Sequence, residues 1–221
     1  MPVSDLTLWQ LADSAFPAGG FAHSGGLEAA VQLGRVRDAP SLRGFVEASL
    51  WQAGHLTLPF LVAAHRAPAS FGELDLRLDA QLTGAVANRA SRDQGQGFLR
   101  AASAAFPGPV AELAERVRRA GLPGHLPVAL GGVTGALGLA EAGAARLHLH
   151  LTLRGLLSAA VRLGAAGPLE AQALQAALAA LAEEVLAACG PLPPAEAALT
   201  SPLLELLQAQ SDHLYSRLFR S

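Results

Sequence analysis

Apolar residues recur at three- and four-residue steps along almost the whole chain, and Pro and Gly cut that pattern into pieces. The run Leu42, Phe45, Val46, Ser49, Leu50, Ala53 shows the period clearly. Such spacing puts apolar side chains on one face of a helix and cannot line one face of a strand. The one alternating run, Leu147-His148-Leu149-His150-Leu151, sits inside a stretch of helical period without turn signals, so it is read as helix. The pattern predicts an all-α fold, a single compact helical bundle of about nine to eleven helices. Residues 1–221 are read as one all-helical domain, with 201–221 as a C-terminal helix and docking tail.

Ser4 is placed to cap a first helix carrying Leu8, Leu11, Ala12 and Ala15, ended by Pro17 and Gly19-Gly20. Ser24 is placed to cap a second, short helix toward Gly34, and Pro40-Ser41 opens a third. Pro59 falls in the first turn of a further run to His65. Ser70 and Glu73 have capping-box spacing. The helix they begin is expected to run through Leu74, Leu78, Leu82 and Val86 toward Ala105, with Gly95 and Gly97 as points where it could break. Val110 to Ala120 should end at Gly121 as C-cap. In Val128–Ala140, Gly131 and Gly135 stand four apart and should let another helix pack closely. Two helices over Ala144–Leu163 and Leu169–Cys189 follow, then a stiff linker at Pro191–Pro194. Ser201 should cap a last helix with Pro202 in its first turn, carrying Leu203, Leu206, Leu207 and Leu214.

One stretch resists the helical reading. Asp13–Glu28, DSAFPAGGFAHSGGLE, is dense in glycine, which permits positive φ and close approach. It is read as a structural or docking corner built from Phe16, Pro17, Gly19, Phe21, His23 and Gly26, with Phe16 and Phe21 packed into the bundle. Two alternatives stand beside it. Asp13, His23 and Ser24, with Ser14 nearby, are the residue types of a hydrolase, although no nucleophile elbow GxSxG is present. The glycines could also cradle a phosphate at a helix start.

Composition narrows the function. All 16 basic side chains are Arg, so the P-loop lysine of a nucleotidase and Schiff-base chemistry are both excluded. A net charge of −2 without a basic stripe argues against nucleic acid. The longest uncharged apolar stretch, Leu126–Ala140, is shorter than the ~20 residues that span a bilayer, and no signal peptide is visible. The lone Cys189 fits a reducing, cytoplasmic setting. The seven histidines form no dense ligand cluster, and His148 and His150 lie on different sides of a helix, so no stably bound metal or cofactor is expected. Arg89, Arg92, Gln94 and Gln96 make a polar patch, and Arg162 follows a long run without acidic residues. At the C-terminus Tyr215, Leu218 and Phe219 interleave with Arg217 and Arg220, a composition favoured at interface hot spots.

These segments resemble, in order, the motifs of the UreF family of urease accessory proteins. DSAFPAGGFAHSGGLE is similar to the family's N-terminal signature and NRASRDQGQGFL to its central segment. SAAVRLGAAGPLEAQAL resembles a later RL…G…Q segment, and SPLLELLQAQSDHLYSRLFRS the family's ending. The resemblance spans essentially the whole chain. It implies an all-α, homodimeric, non-enzymatic protein that joins UreD (also called UreH) and the GTPase UreG on urease apoprotein. That assembly delivers nickel to the urease active site, the metal passing through the complex as GTP is hydrolysed. The resemblance places UreD/UreH docking on Pro202, Tyr215, Arg217, Leu218 and Phe219, and the UreG face on Asn88, Arg89, Arg92, Gln94 and Arg162. Two departures stand out. Ser211-Asp212 replaces the family's usual His-Glu, which puts a local ion pair in doubt. The first helix also begins almost at once, so any dimer contact made by a longer N-terminal extension would be missing.

Overall fold

A computed structural model of the chain describes residues 5–220. Ser4, expected as a cap, lies outside the described residues. The helices are α1 Asp5–Ala12, α2 Leu27–Gln32, α3 Ala39–Gln52, α4 Leu58–Arg66, α5 Phe71–Gln81, α6 Ala85–Ala105, α7 Pro109–Arg119, α8 Leu126–Ala136, α9 Glu141–Arg162, α10 Pro168–Ala177, α11 Ala179–Cys189 and α12 Pro202–Gln210. Helices α3 and α4 run on through one π turn, Ala53–Thr57, and make a single rod, so there are eleven helices among the described residues, and no strands. The all-α reading holds.

Helix α8 is the central element, buried from Pro127 to Thr134. Its glycines do what their spacing suggested. A Cβ at Gly131 would lie 2.2 Å from the Leu61 carbonyl oxygen, and one at Gly135 2.3 Å from that of His65. Only a helix without side chains at these two positions can lie so close to α4. Gly95 and Gly97 do not break α6, which is continuous; they are approach points instead. A Cβ at Gly95 would sit 1.9 Å from the Gly124 oxygen, and one at Gly97 3.1 Å from that of Ala18. The loop before α8 and the glycine corner therefore both rest on α6.

The π turn follows from Pro59. Proline has no N–H and its ring crowds the carbonyl four residues back, which is that of His55. That freed carbonyl accepts the N–H of Ala198 at 3.2 Å, tying down the segment between α11 and α12. Pro59 thus sits within a widened rod, not at a fresh helix start. Thr57 donates its hydroxyl to Ala53 and meets His148 Nε2 at 2.8 Å.

Several local expectations are corrected. Helix α1 stops at Ala12 and not at Ala15, because the Asp13 carboxylate accepts the Ala15 N–H and turns the chain. Helix α2 starts at Leu27 behind Gly26, whose φ is 87°, so Gly26 and not Ser24 is the capping residue; the Ser24 hydroxyl still reaches the Glu28 N–H at 3.4 Å. Ser70 makes no side-chain cap, since a 3₁₀ turn leaves it at ψ 9° and not in the extended region a cap needs. The long helix expected from Phe71 breaks at Leu82–Gly84. There Asn88 donates to the Asp79 and Leu82 carbonyls, closing α5, while a Cβ at Gly84 would meet the Glu205 carboxylate at 2.7 Å. The Leu169–Cys189 run bends by 43° at buried Leu178. Ser201 makes no side-chain cap; its N–H goes to Gln52, which also donates to Glu205. Helix α12 buries Leu204 and Leu207 and leaves Leu203 and Leu206 exposed.

Two outcomes follow. Gly131→Ala or Gly135→Ala should lower unfolding stability in urea by about 2 kcal/mol or more, through backbone overlap. Gly44→Ala in α3, where a Cβ meets nothing within 4 Å, should raise it by about 1 kcal/mol. Burial holds His148 at about 4, against 6.5 in the unfolded chain. Between those values the unfolded chain binds more protons, so stability falls as pH drops from about 6.5 toward 4. The His148 contribution lost between pH 7 and pH 5 should be about 2 kcal/mol, read as the difference between the native protein and His148→Gln in how far the unfolding free energy falls over that range.

Candidate functional site

The four segments singled out in the sequence meet at one groove of about 670 Å³. Phe21 and His23 of the corner, Arg89 and Asp93 of α6, Arg162 at the end of α9, and Asp212 with Arg217–Arg220 of the tail line it. The tail reaches the groove because α12 is held at the α5–α6 break, and an irregular segment after the 3₁₀ turn Ser211–His213, bent at Tyr215–Ser216 and Leu218–Phe219, then runs back along α2.

Main-chain groups carry much of that return. The Leu218 and Phe219 N–H groups donate to the two oxygens of Glu28, at 2.6 and 3.2 Å. The Arg220 N–H donates to Ala22, and Gln32 Nε2 donates to the Ser216 carbonyl. Phe219 is buried, and the Arg162 guanidinium lies 3.6 Å from the Phe21 ring centroid and 4.1 Å from that of Phe219. Arg162 also donates to the Phe21 carbonyl. Arg162 is thus committed to two rings and a carbonyl of its own chain.

Asp212 bridges Arg89 and Arg217, at 2.9 and 3.0 Å, so the ion pair left in doubt by Ser211-Asp212 does form. Arg89 draws the Asp212 carboxyl below its usual range. These exposed pairs are each worth about 0–1 kcal/mol, whereas burying the Phe219 ring is worth about 2–3 kcal/mol. The ring and the amides therefore hold the tail more firmly than the ions do. His23 is pushed below its ordinary value, first by burial, with Asp93 opposing and Arg220 and Arg89 assisting.

The corner divides its aromatics. Phe16 packs tilted against Phe98 with centroids 5.5 Å apart, but Phe21 is 71% exposed, contrary to the expectation that it would enter the bundle. Phe21 follows Gly19 and Gly20 in a 3₁₀ turn on the surface, where the Arg162 guanidinium covers its ring. Pro17 and Gly19 shape that turn; Gly19 has φ 78° and Gly26 packs against the Gln208 backbone. Behind the corner lies a cavity of about 500 Å³, with Gln94 and His148 among its lining residues.

The residues expected on a UreG face are divided. Arg89 and Arg162 share the groove, Asn88 closes α5, Gln94 reaches the inner cavity, and Arg92 is exposed on α6 outside the groove's lining. Of the residues expected on a docking tail, Phe219 is turned inward, while Tyr215 is fully exposed and Leu218 half exposed. With Leu203 and Leu206 they leave four large apolar side chains uncovered on α12 and the tail.

The hydrolase alternative gains no geometry. The Asp13 carboxylate is engaged by the Ala15 N–H, and Ser24 is buried at the entry to α2. A relay that sequence spacing could not show lies elsewhere: Ser91 Oγ meets His125 Nδ1 at 3.1 Å, and His125 Nε2 meets Asp79 at 3.0 Å. The His125 ring is fully enclosed, and Asp79 also accepts from Asn88. Buried Asp75 accepts the Gly124 and His125 N–H groups, burial raising its carboxyl and lowering the His125 imidazole. This network fastens α5 and α6 to the start of α8. Among the described residues no three His, Cys, Asp or Glu side chains converge as a metal site. Cys189 has His55 Nδ1 at 3.6 Å beneath the π turn, with burial raising its thiol. No single helix among the described residues is long and apolar enough to cross a membrane.

Glu28, buried beneath the tail that borders the groove, is the residue that the sequence reading passed over. It closes the DSAFPAGGFAHSGGLE motif, and a carboxylate directly after Gly25, Gly26 and Leu27 at a helix start is the one signal that pointed to it.

The chain is similar in sequence to known proteins over most of its length. The sequence model of the UreF family matches residues 36–179. A protein from Oryza sativa subsp. indica named urease accessory protein F is 38% identical over 219 residues, covering 96% of this chain and 83% of the rice protein. The protein of that name in Arabidopsis thaliana is 39% identical, covering 96% of this chain and 91% of its own length. The urease accessory protein UreF of Mycobacterium sp. (strain JLS) is 34% identical, covering 97% of this chain and 98% of its own.

Proposed function

The chain belongs to the UreF family of urease accessory proteins, whose role is in urease maturation, and we propose that it serves there as a recruitment scaffold. In this reading it is not an enzyme. As a cytoplasmic homodimer it bridges UreD/UreH and the GTPase UreG on urease apoprotein, and nickel is cargo of the assembly, delivered to the urease active site with GTP hydrolysis.

The observation that carries the reading is the uncovered apolar set on α12 and the tail, Leu203, Leu206, Tyr215 and Leu218, displayed on a segment pinned to the body by its main chain. Aromatic and aliphatic anchors beside arginines are what a protein–protein interface uses. A lysine-free chain also supports a scaffold, since the nucleotide chemistry then falls to the partner. For UreG, two modes are open in principle. An arginine of this chain could enter the GTPase site as a finger. Alternatively, the scaffold binds one UreG state better and shifts the equilibrium. The second is favoured because Arg89 is engaged by Asp212 and Arg162 by two rings, and all three arginines, Arg92 included, sit on helices and not on a mobile loop.

Removal of residues 215–221 should abolish UreD/UreH binding by the remaining chain while far-ultraviolet circular dichroism stays helical. Tyr215→Ala combined with Leu218→Ala should weaken binding at least about tenfold. Unchanged binding in both would refute the tail assignment. Arg89→Ala, Arg92→Ala and Arg162→Ala should each leave UreG GTP hydrolysis in the assembled complex within about tenfold of native; a loss of about 10³-fold for any one, with assembly intact, would make that arginine a finger.

A further inference from the structure

The tail beyond His213 has no helix of its own, so something else must set which of its side chains face out. Glu28 is 3% exposed, and among the described residues no arginine or histidine pairs with it. A buried carboxylate needs compensating donors. Here each of its oxygens takes one tail amide, from Leu218 and from Phe219. Charge-assisted bonds of this kind are roughly twice as strong as neutral ones. They are made to the main chain, so they leave the tail side chains uncommitted.

We infer that Glu28 is a positioning residue, the seat that fixes the register of the C-terminal tail so that Leu218 is presented outward while Phe219 is turned inward against Arg162. The inference rests on the reading that this tail docks on a partner. The chain is bent at Leu218 and Phe219, which lets two successive N–H groups face one carboxylate while the side chains part, Phe219 inward and Leu218 half exposed, and a slip by one residue would take Phe219 off the guanidinium. Three further contacts hold the same register: the Arg220 N–H on Ala22, the Ser216 carbonyl on Gln32, and the Phe219 ring beside Arg162. The first two are uncharged and do not discriminate side chains. Glu28 differs from both in being charged, buried and bonded to two successive amides. The glycine corner gains a defined role from this, because Gly25 and Gly26, both at positive φ, bring the start of α2 under the tail.

The test uses the full chain, with hydrogen exchange of the C-terminal peptide read beside affinity for UreD/UreH. Glu28→Gln keeps the shape but sets an amide donor against a tail N–H, and Glu28→Ala removes both acceptors. Both variants should speed exchange of the Leu218 and Phe219 amides at least about tenfold, leave α4 and α8 as protected as in the native protein, and weaken partner affinity by a similar factor. Leu218→Ala should leave tail exchange unchanged and weaken affinity alone. Native-level tail exchange in Glu28→Gln and Glu28→Ala overturns the seat, as does equal loss of protection in α4 and α8, which would make Glu28 a general core residue. Faster tail exchange with native affinity in every variant supports the seat and overturns the docking reading.

Discussion

The backbone of α8 lies against the backbone of α4 at Gly131 and Gly135, and the rest of the bundle is placed by that contact. A helix pair this close leaves no room for side chains along the seam, so neighbouring helices supply the apolar volume. Helix α6 receives the loop into α8 with the same economy at Gly95, and Asp75 and His125 lock the start of α8 to α5 and α6. Because α6 is held there, the corner can rest on it at Gly97, and the tail can rest on the corner. The groove is thus the outer layer of a stack that begins at two glycines in the core.

Polar side chains inside this apolar bundle act as fasteners between elements distant in sequence. Gln52 joins the end of α3 to the start of α12 by accepting the Ser201 N–H and donating to Glu205. Asn88 closes α5, and Thr57 joins the π turn to His148 in α9. Each satisfies groups that irregular backbone would leave open, and that is where such residues are needed. The Ser91–His125–Asp79 chain belongs with them: its residue types suggest chemistry, but an enclosed imidazole between two committed partners is a strut.

Much of this architecture was legible in the sequence. The helical period located nearly every helix, Gly121 ended α7 as expected with φ 61°, and the Gly131–Gly135 spacing announced a close helix pair. Local caps were read less well. Ser24, Ser70 and Ser201 all had the residue type of an N-cap, yet in each case backbone geometry or a distant side chain took the role. Gly95 and Gly97 were read as weak points, because a glycine lowers helix propensity whether or not something packs on it. The groove was legible only in parts. Its segments were each singled out, but Phe21 and Phe219 exchanged their expected fates, since exposure depends on what lies opposite.

The sequence by itself determined the fold class, the place of most helices and the family, because apolar period, proline and glycine placement and ordered motifs are local or linear properties. Only the tertiary structure decided that the corner, Arg89, Arg162 and the tail share one groove, that Asp212 reaches back to Arg89, and that Glu28 receives the tail. Those pairings join residues more than a hundred positions apart through main-chain amides, ring faces and charged side chains, and such meetings carry no signature in the one-dimensional order of the chain.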